Sequence, residues 1–205
     1  APLSDGGPGF VGGLHAVLGG ELVTAVVTDP LGNKTPAQFL LRGNEAWIES
    51  AQACGLHLVA LDKRDPRVTT TYGVGELMTE AINRGATIIT IGLGGSGTND
   101  AGAGMLAALG ATSDGDLDGG GANLKELSKV DLSAAIEKVS GIELIVASDV
   151  DNTLLGLRGA TAVFGPQKGA DEFAVMELEG ALENFAALCG RRSDGKDPAV
   201  ALGSG

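Results

Sequence analysis

The chain has 205 residues, 43% of them hydrophobic, which is long and apolar enough to bury a real core. Acidic residues outnumber basic ones by 26 to 14, and the resulting formal charge of −12 repels phosphate backbones and anionic lipid surfaces, arguing against a nucleic-acid partner. No apolar run reaches the roughly 18 to 20 residues that cross a membrane, and the amino end APLSDGGPGF shows no basic segment followed by an apolar one.

Cys54 and Cys189 lie far apart and form neither a metal-spaced pair nor a disulfide framework, which predicts core thiols in a reducing cytoplasm. FVGGLHAVL (10–18) predicts a short helix stopped by Gly19 and Gly20, which suit a left-handed C-cap. ELVTAVVTD (21–29), the turn PLGN (30–33) and PAQFLLR (36–42) predict a β-hairpin. EAWIES (45–50) adds a short strand, with a helix left open over so few residues. In GELMTEAINRG (75–85), Leu77, Met78, Ala81 and Ile82 share a helical face and Gly85 supplies the stop.

ATIITIG (86–92) is a continuous apolar run of the kind buried on both sides of a sheet, and beyond a glycine-rich loop NDAGAGMLAALGA (99–111) resumes a helical period. SDGDLDGG (113–120) reads as an acidic loop, KELSKV (125–130) and LSAAIEKV (132–139) as helical or turn segments, and IELIVASD (142–149) as another buried strand. DEFAVMELEGALENFAALCG (171–190) predicts a long closing helix with Val175, Leu178, Leu182, Phe185 and Cys189 at helical spacing. Trp47, Tyr72 and the five Phe are assigned to the core. The 34 glycines are about twice the usual share of ~7% and cluster at junctions between elements. The fold class expected is α/β, a single domain over residues 1–205 with a mixed sheet and flanking helices.

Within IGLGGSGTNDAGAGM (91–105), Gly92, Gly94 and Gly97 match the GxGxxG spacing of a dinucleotide-binding turn. That reading also demands a partner strand ending in an acidic residue about 20 positions on, where the sequence has SDGDLDGG. A P-loop is excluded, because no glycine-lysine-Ser/Thr follows the strand. What survives is a strand feeding a glycine-rich turn into a helix, whose backbone N–H groups at the positive dipole end suit a carboxylate or phosphate, with Ser96 and Thr98 as added donors. Asn99 and Asp100 are either site groups or the helix N-cap, and Gly102 and Gly104 predict a neighbour packed close against the first turn.

Asp114, Asp116, Asp118 and Gly119 imitate the start of a calcium loop, but Lys125 stands where the closing Glu belongs, so a solvated turn is expected. Asp149, Asp151 and Asn152 directly follow a strand, where α/β proteins keep their ligands; they suit Mg²⁺ or a hydroxyl proton, with turn formation as the alternative. Lys168, between Pro166 and Gly169, suits a lysine aimed at an anion, with a solvent-exposed Lys as the ordinary alternative. His15 and His57 are too isolated for a zinc site, and no Ser or Cys has a histidine at nucleophile spacing.

SDGGPGF (4–10), TDPLG (28–32), IESAQACGL (48–56), RDPRVTTTYGVGELM (64–78), IGLGGSGTNDAGAGM (91–105), SDVDNTLLG (148–156) and VFGPQKGA (163–170) together resemble the type I bacterial glycerate kinase family, in family order. The resemblance implies ATP-dependent phosphorylation of D-glycerate to a phosphoglycerate, with Mg²⁺. It implies Asp149 or Asp151 as base or magnesium ligand, Asn99 and Asp100 as polar groups of the site, and Lys168 as a phosphate partner. Gly94, Gly95 and Ser96 become the anion cradle, with Thr98, Asn152 and Asp5 beside the substrate. It further implies two α/β domains, one inserted in the other, with this chain corresponding mainly to the insert. The family's opening APDSFK-like motif and its later AAGGLG-like stretch are expected outside it. The isolated chain is then expected either to take part in catalysis or to act as a silent module that still holds glycerate, and an oligomer is compatible with either. Three positions depart from the family: Pro8 replaces the Glu of DGGEG and so removes a carboxylate, Thr153 replaces a Pro, and Gly97 replaces an Ala.

Overall fold

A computed structural model describes residues 6–192 and 194–204. Its first strands, β1 (Glu21–Thr28) and β2 (Lys34–Arg42), form the expected hairpin, and β3 (Glu45–Glu49) continues it antiparallel. The turn is fixed by Asp29, whose Oδ1 accepts from the N–H groups of Leu31 at 2.8 Å and Asn33 at 2.9 Å, the local bonding that makes Asp a turn residue. The helix α1 (Phe10–Leu18) precedes the hairpin and ends at Gly19, with φ of 66°.

At β3 the sheet changes sense. β3 pairs in parallel with β4 (Ile88–Gly92), and β4 in parallel with a later strand, β7 (Glu143–Ala147), giving a five-stranded sheet in the order β1-β2-β3-β4-β7. The carboxyl ends of β3, β4 and β7 therefore lie together. Between β4 and β7 come a short ladder of β5 (Thr112–Ser113) with β6 (Val130–Asp131) and a 3₁₀ turn over Gly121–Glu126. The acidic stretch 113–120 is a loop after its first residue, as expected.

The short helices α2 (Ala51–Cys54) and α5 (Ser133–Lys138) sit in connections, α3 (Tyr72–Asn83) starts three residues ahead of the expected span, and α6 (Ala160–Phe164) leads into the turn that carries Lys168. The closing helix α7 (Glu172–Cys189) is capped by the Asp171 side chain, which accepts from Ala174 N at 2.8 Å, and buries Leu178, Leu182 and Phe185. The main core joins Val23, Val27, Phe39 and Ile48 of the sheet to Leu77 and Met78 of α3 and to Leu182 and Phe185 of α7.

Three expectations need correction. IELIVASD does form a strand, but β7 is a sheet edge whose first four residues are exposed, Leu144 at 42% and Val146 at 59%. An apolar run announces a strand without announcing which of its sides is covered. The helix expected over 99–111 shortens to α4 (Ala103–Ala108), because Ala101 and Gly102 take left-handed φ values of 49° and 78°. Phe173 is exposed and Phe164 half-buried, so the aromatic residues do not all join the core. Of the close neighbours predicted at Gly102 and Gly104, only the second is real: a Cβ on Gly104 would lie 2.7 Å from Tyr72 N and collide with Thr70 Oγ1, so glycine lets α4 seat on the start of α3, whereas Gly102 serves its left-handed φ. Among the described residues no helix is long and apolar enough to cross a membrane.

Candidate active site

A cavity of about 190 Å³ opens at the joined carboxyl ends of the parallel strands. The loop after β4 supplies Leu93, Gly94, Gly95 and Ser96 to its wall, the loop after β7 supplies Ser148, Asp149 and Val150, and the α6 turn supplies Gln167 and Lys168. Gly7, Pro8 and Phe164 complete it. This is where an open α/β sheet leaves a crevice for a ligand.

The loop after β4 is pinned on both flanks. Leu56 N donates to Gly95 O at 2.9 Å and Gly97 N to Cys54 O at 2.8 Å, holding it against α2, while Gly94 N donates to Gly6 O at 3.3 Å. Gly95 has φ of 79°, and a Cβ on it would stand 2.8 Å from Pro8 Cδ, so both conformation and space require glycine there.

Lys168 is the unusual member. Its side chain is nearly enclosed, the residue being 2% exposed, so the solvated lysine alternative does not hold. Its ammonium donates to Ser96 Oγ at 3.0 Å and to Thr98 O at 2.8 Å. Among the described residues it makes no ion pair, and burial lowers its pKa to about 8, with the Asp100 carboxylate pulling in the opposite direction. Burial likewise pushes the Cys54 thiol up to about 11, leaving it a neutral core group.

The remaining expected site residues divide. Gly94, Gly95, Ser96, Asp149 and Lys168 come together around the cavity. Thr98 contributes its carbonyl oxygen to Lys168. Asp100 is turned into the fold: its Oδ2 accepts from Thr71 N at 2.9 Å, Thr71 Oγ1 at 2.8 Å and Gly104 N at 3.2 Å, and its Oδ1 from Gly102 N at 3.1 Å. That carboxylate fills the amino end of α4, so the helix end expected to cradle an anion is already occupied. Ser96 and Lys168 supply donors to the cavity wall, with the Gln167 side-chain amide beside them. Asn99 pairs with Thr161 Oγ1 of α6 at 3.2 Å, and Asn152 Nδ2 donates to Arg158 O at 2.8 Å, bracing its own loop. Asp151 is exposed, and Asp5 lies outside the described residues.

Glu49 was not singled out by its sequence. This buried carboxylate at the end of β3 accepts from Gly9 N at 3.0 Å and Val11 N at 3.3 Å, capping α1 and steadying the Gly7–Pro8 wall. The bond spans 40 residues, and no local pattern announces it. Among the described residues no group of three or more His, Cys, Asp or Glu could enclose a metal ion.

The sequence model of the glycerate kinase family matches residues 1–205. A glycerate kinase of Bacillus subtilis (strain 168) is 46% identical over 193 residues, covering 91% of this chain and 50% of that protein. A glycerate 2-kinase of Escherichia coli (strain K12) is 44% identical, covering 91% and 51% respectively. In three dimensions, the crystal structure of a protein assigned as glycerate kinase 2 from Salmonella typhimurium LT2 superposes with a TM-score of 0.92 at 41% identity, over 100% of this chain and 57% of that one. The chain thus spans about half the length of the curated relatives it matches. With sequence and fold in agreement, the chain belongs to the glycerate kinase family.

Proposed function

We propose that the cavity is the acceptor site of an ATP-dependent kinase that phosphorylates D-glycerate. The observation that carries this reading is the meeting of Ser96, Lys168 and Asp149 in the wall of one small cavity. It combines donors for an anion with a carboxylate able to take a hydroxyl proton.

In the reaction the substrate hydroxyl oxygen bonds to the terminal phosphorus of ATP as the bond to the bridging oxygen breaks. ADP leaves with that electron pair, and the hydroxyl proton passes to Asp149. The Escherichia coli relative is named a glycerate 2-kinase, which makes the C2 hydroxyl the expected acceptor.

Magnesium in kinase sites keeps several waters and needs only one or two carboxylates beside the nucleotide phosphates. Asp149 with Asp151, two residues on, fits that demand, although no all-protein metal cage exists among the described residues. When bound, the ion neutralises charge on the phosphates. A cavity of about 190 Å³ holds a three-carbon acid and the transferring group, so the adenosine portion is assigned outside it. The half-length span and the exposed apolar edge of β7 support one α/β domain of a two-domain kinase. The same span favours a second reading, in which this chain alone binds glycerate without turning it over.

The test is ADP formation by the full-length protein offered ATP with D-glycerate, L-glycerate, glycolate or lactate. Turnover with D-glycerate is expected. Turnover confined to another acid would discard the substrate assignment, and ATP binding by the isolated chain in calorimetry would discard the silent version.

A further inference from the structure

The proposed function leaves open which negative group meets Lys168: the carboxylate of the acid or the phosphate being transferred. Hydrogen-bond polarity sets what that group must offer, and charge separates the two. An ammonium only donates, so Ser96 Oγ must accept at the 3.0 Å contact, and its own O–H is turned elsewhere. Two of the three ammonium N–H bonds are used, on Ser96 and on Thr98 O, which leaves one. Ser96 O–H and that last N–H have no acceptor among the described residues, and both residues line the cavity. Two neighbouring donors at this spacing match the two oxygens of one carboxylate.

Charge and depth agree. Lys168 is the sole cation among the described residues of the wall, which contains no arginine, and Asp149 opposes it. A monoanion balances a single ammonium, whereas a phosphoryl group in transfer spreads more negative charge over three oxygens and calls for further cations. Lys168 is also nearly enclosed, so the group that reaches it belongs to the small ligand filling the cavity.

We propose that Lys168 and Ser96 form the carboxylate seat of the substrate and fix specificity for an acid, leaving the hydroxyl end for Asp149 and the incoming phosphate. This rests on the glycerate reading above. Neutral three-carbon polyols lack the charged acceptor that satisfies the seat, and binding them would leave its two buried donors poorly met, a strong form of discrimination for a polar pocket.

The experiment uses the full-length protein and two variants, Lys168→Met and Ser96→Ala, with D-glycerate binding measured by calorimetry and KM determined separately for D-glycerate and ATP. D-glyceramide, the uncharged amide, serves as the neutral probe. Lys168→Met is expected to weaken D-glycerate about 10- to 100-fold, to erase the preference over D-glyceramide and to leave KM for ATP within about twofold. Ser96→Ala, which removes no charge and keeps the fold testable if the first variant does not, is expected to weaken D-glycerate severalfold. Unchanged D-glycerate affinity with a raised KM for ATP would overturn the carboxylate seat while leaving the kinase reading intact. A wild-type protein that binds no D-glycerate would overturn both.

Discussion

Lys168 Nζ lies 3.0 Å from Ser96 Oγ across 72 residues of sequence, and this contact ties the α6 turn to the loop after β4 at the only buried ammonium among the described residues. Its energetics give the first prediction. The folded protein holds the Lys168 pKa near 8 against an ordinary 10.5, chiefly by burial, so the unfolded chain binds more protons between those values. Stability of the ligand-free protein therefore rises with pH across that window, and below it the buried charge costs on the order of 3 kcal/mol. Lys168→Met should remove this rise and stabilise the free protein at neutral pH, as read from denaturant titrations at several pH values.

Binding runs the other way. A carboxylate needs the charged lysine, so D-glycerate affinity should be level below about pH 8 and fall above it in wild type, with no such fall in Lys168→Met. The groups facing the ammonium are Asp100, which favours its charge, and the uncharged Cys54, Ser96 and Thr98, while Asp149 shares the cavity. The Cys54 thiol, pushed to about 11 by burial, stays neutral throughout the window. Calorimetry between pH 6.5 and 9.5 measures the fall.

Asp149 and Asp151 are both exposed, and of the two only Asp149 lines the cavity. Asp149→Asn should lower kcat by about 100-fold or more, the usual scale for losing a proton acceptor. Asp151→Asn should keep most of kcat and raise the Mg²⁺ needed for half-maximal rate. Equal losses in both variants would contradict Asp149 as the proton acceptor.

Asp100 collects four hydrogen bonds at the junction of α3 and α4, from Thr71, Gly102 and Gly104. Replacing it by Ala strands those donors in a site where the residue is 2% exposed, and should cost about 2 to 4 kcal/mol in unfolding free energy. Its effect on KM for D-glycerate should be small in whatever fraction remains folded. A large KM effect at unchanged stability would return Asp100 to the substrate.

The two sides of Asp100 show what the sequence carries. Its position after GGSGT and before a helix announces an N-cap or a site group equally, because both uses want a carboxylate beside open N–H groups. The deciding partner, Thr71, lies 29 residues away. The hairpin around Asp29 and the inward face of α7 were legible, since period and turn chemistry are local. The exposure of β7 and the capping of α1 by Glu49 were not, because both depend on which strand stands beside which. Lys168 was legible as a residue of interest, but its burial between Ser96 and the Thr98 carbonyl emerges only from the packed fold.

The most direct test of the central claim, that this cavity receives D-glycerate, is the set of backbone amide shifts in nitrogen-labelled protein as D-glycerate is added. The account predicts saturable shifts concentrated at Gly94, Gly95, Ser96, Asp149 and Lys168, the residues that meet at the cavity. No shifts at these residues, or shifts concentrated instead around Leu157, Met176 and Gly180 in the separate groove between α7 and the 156–162 segment, would contradict it.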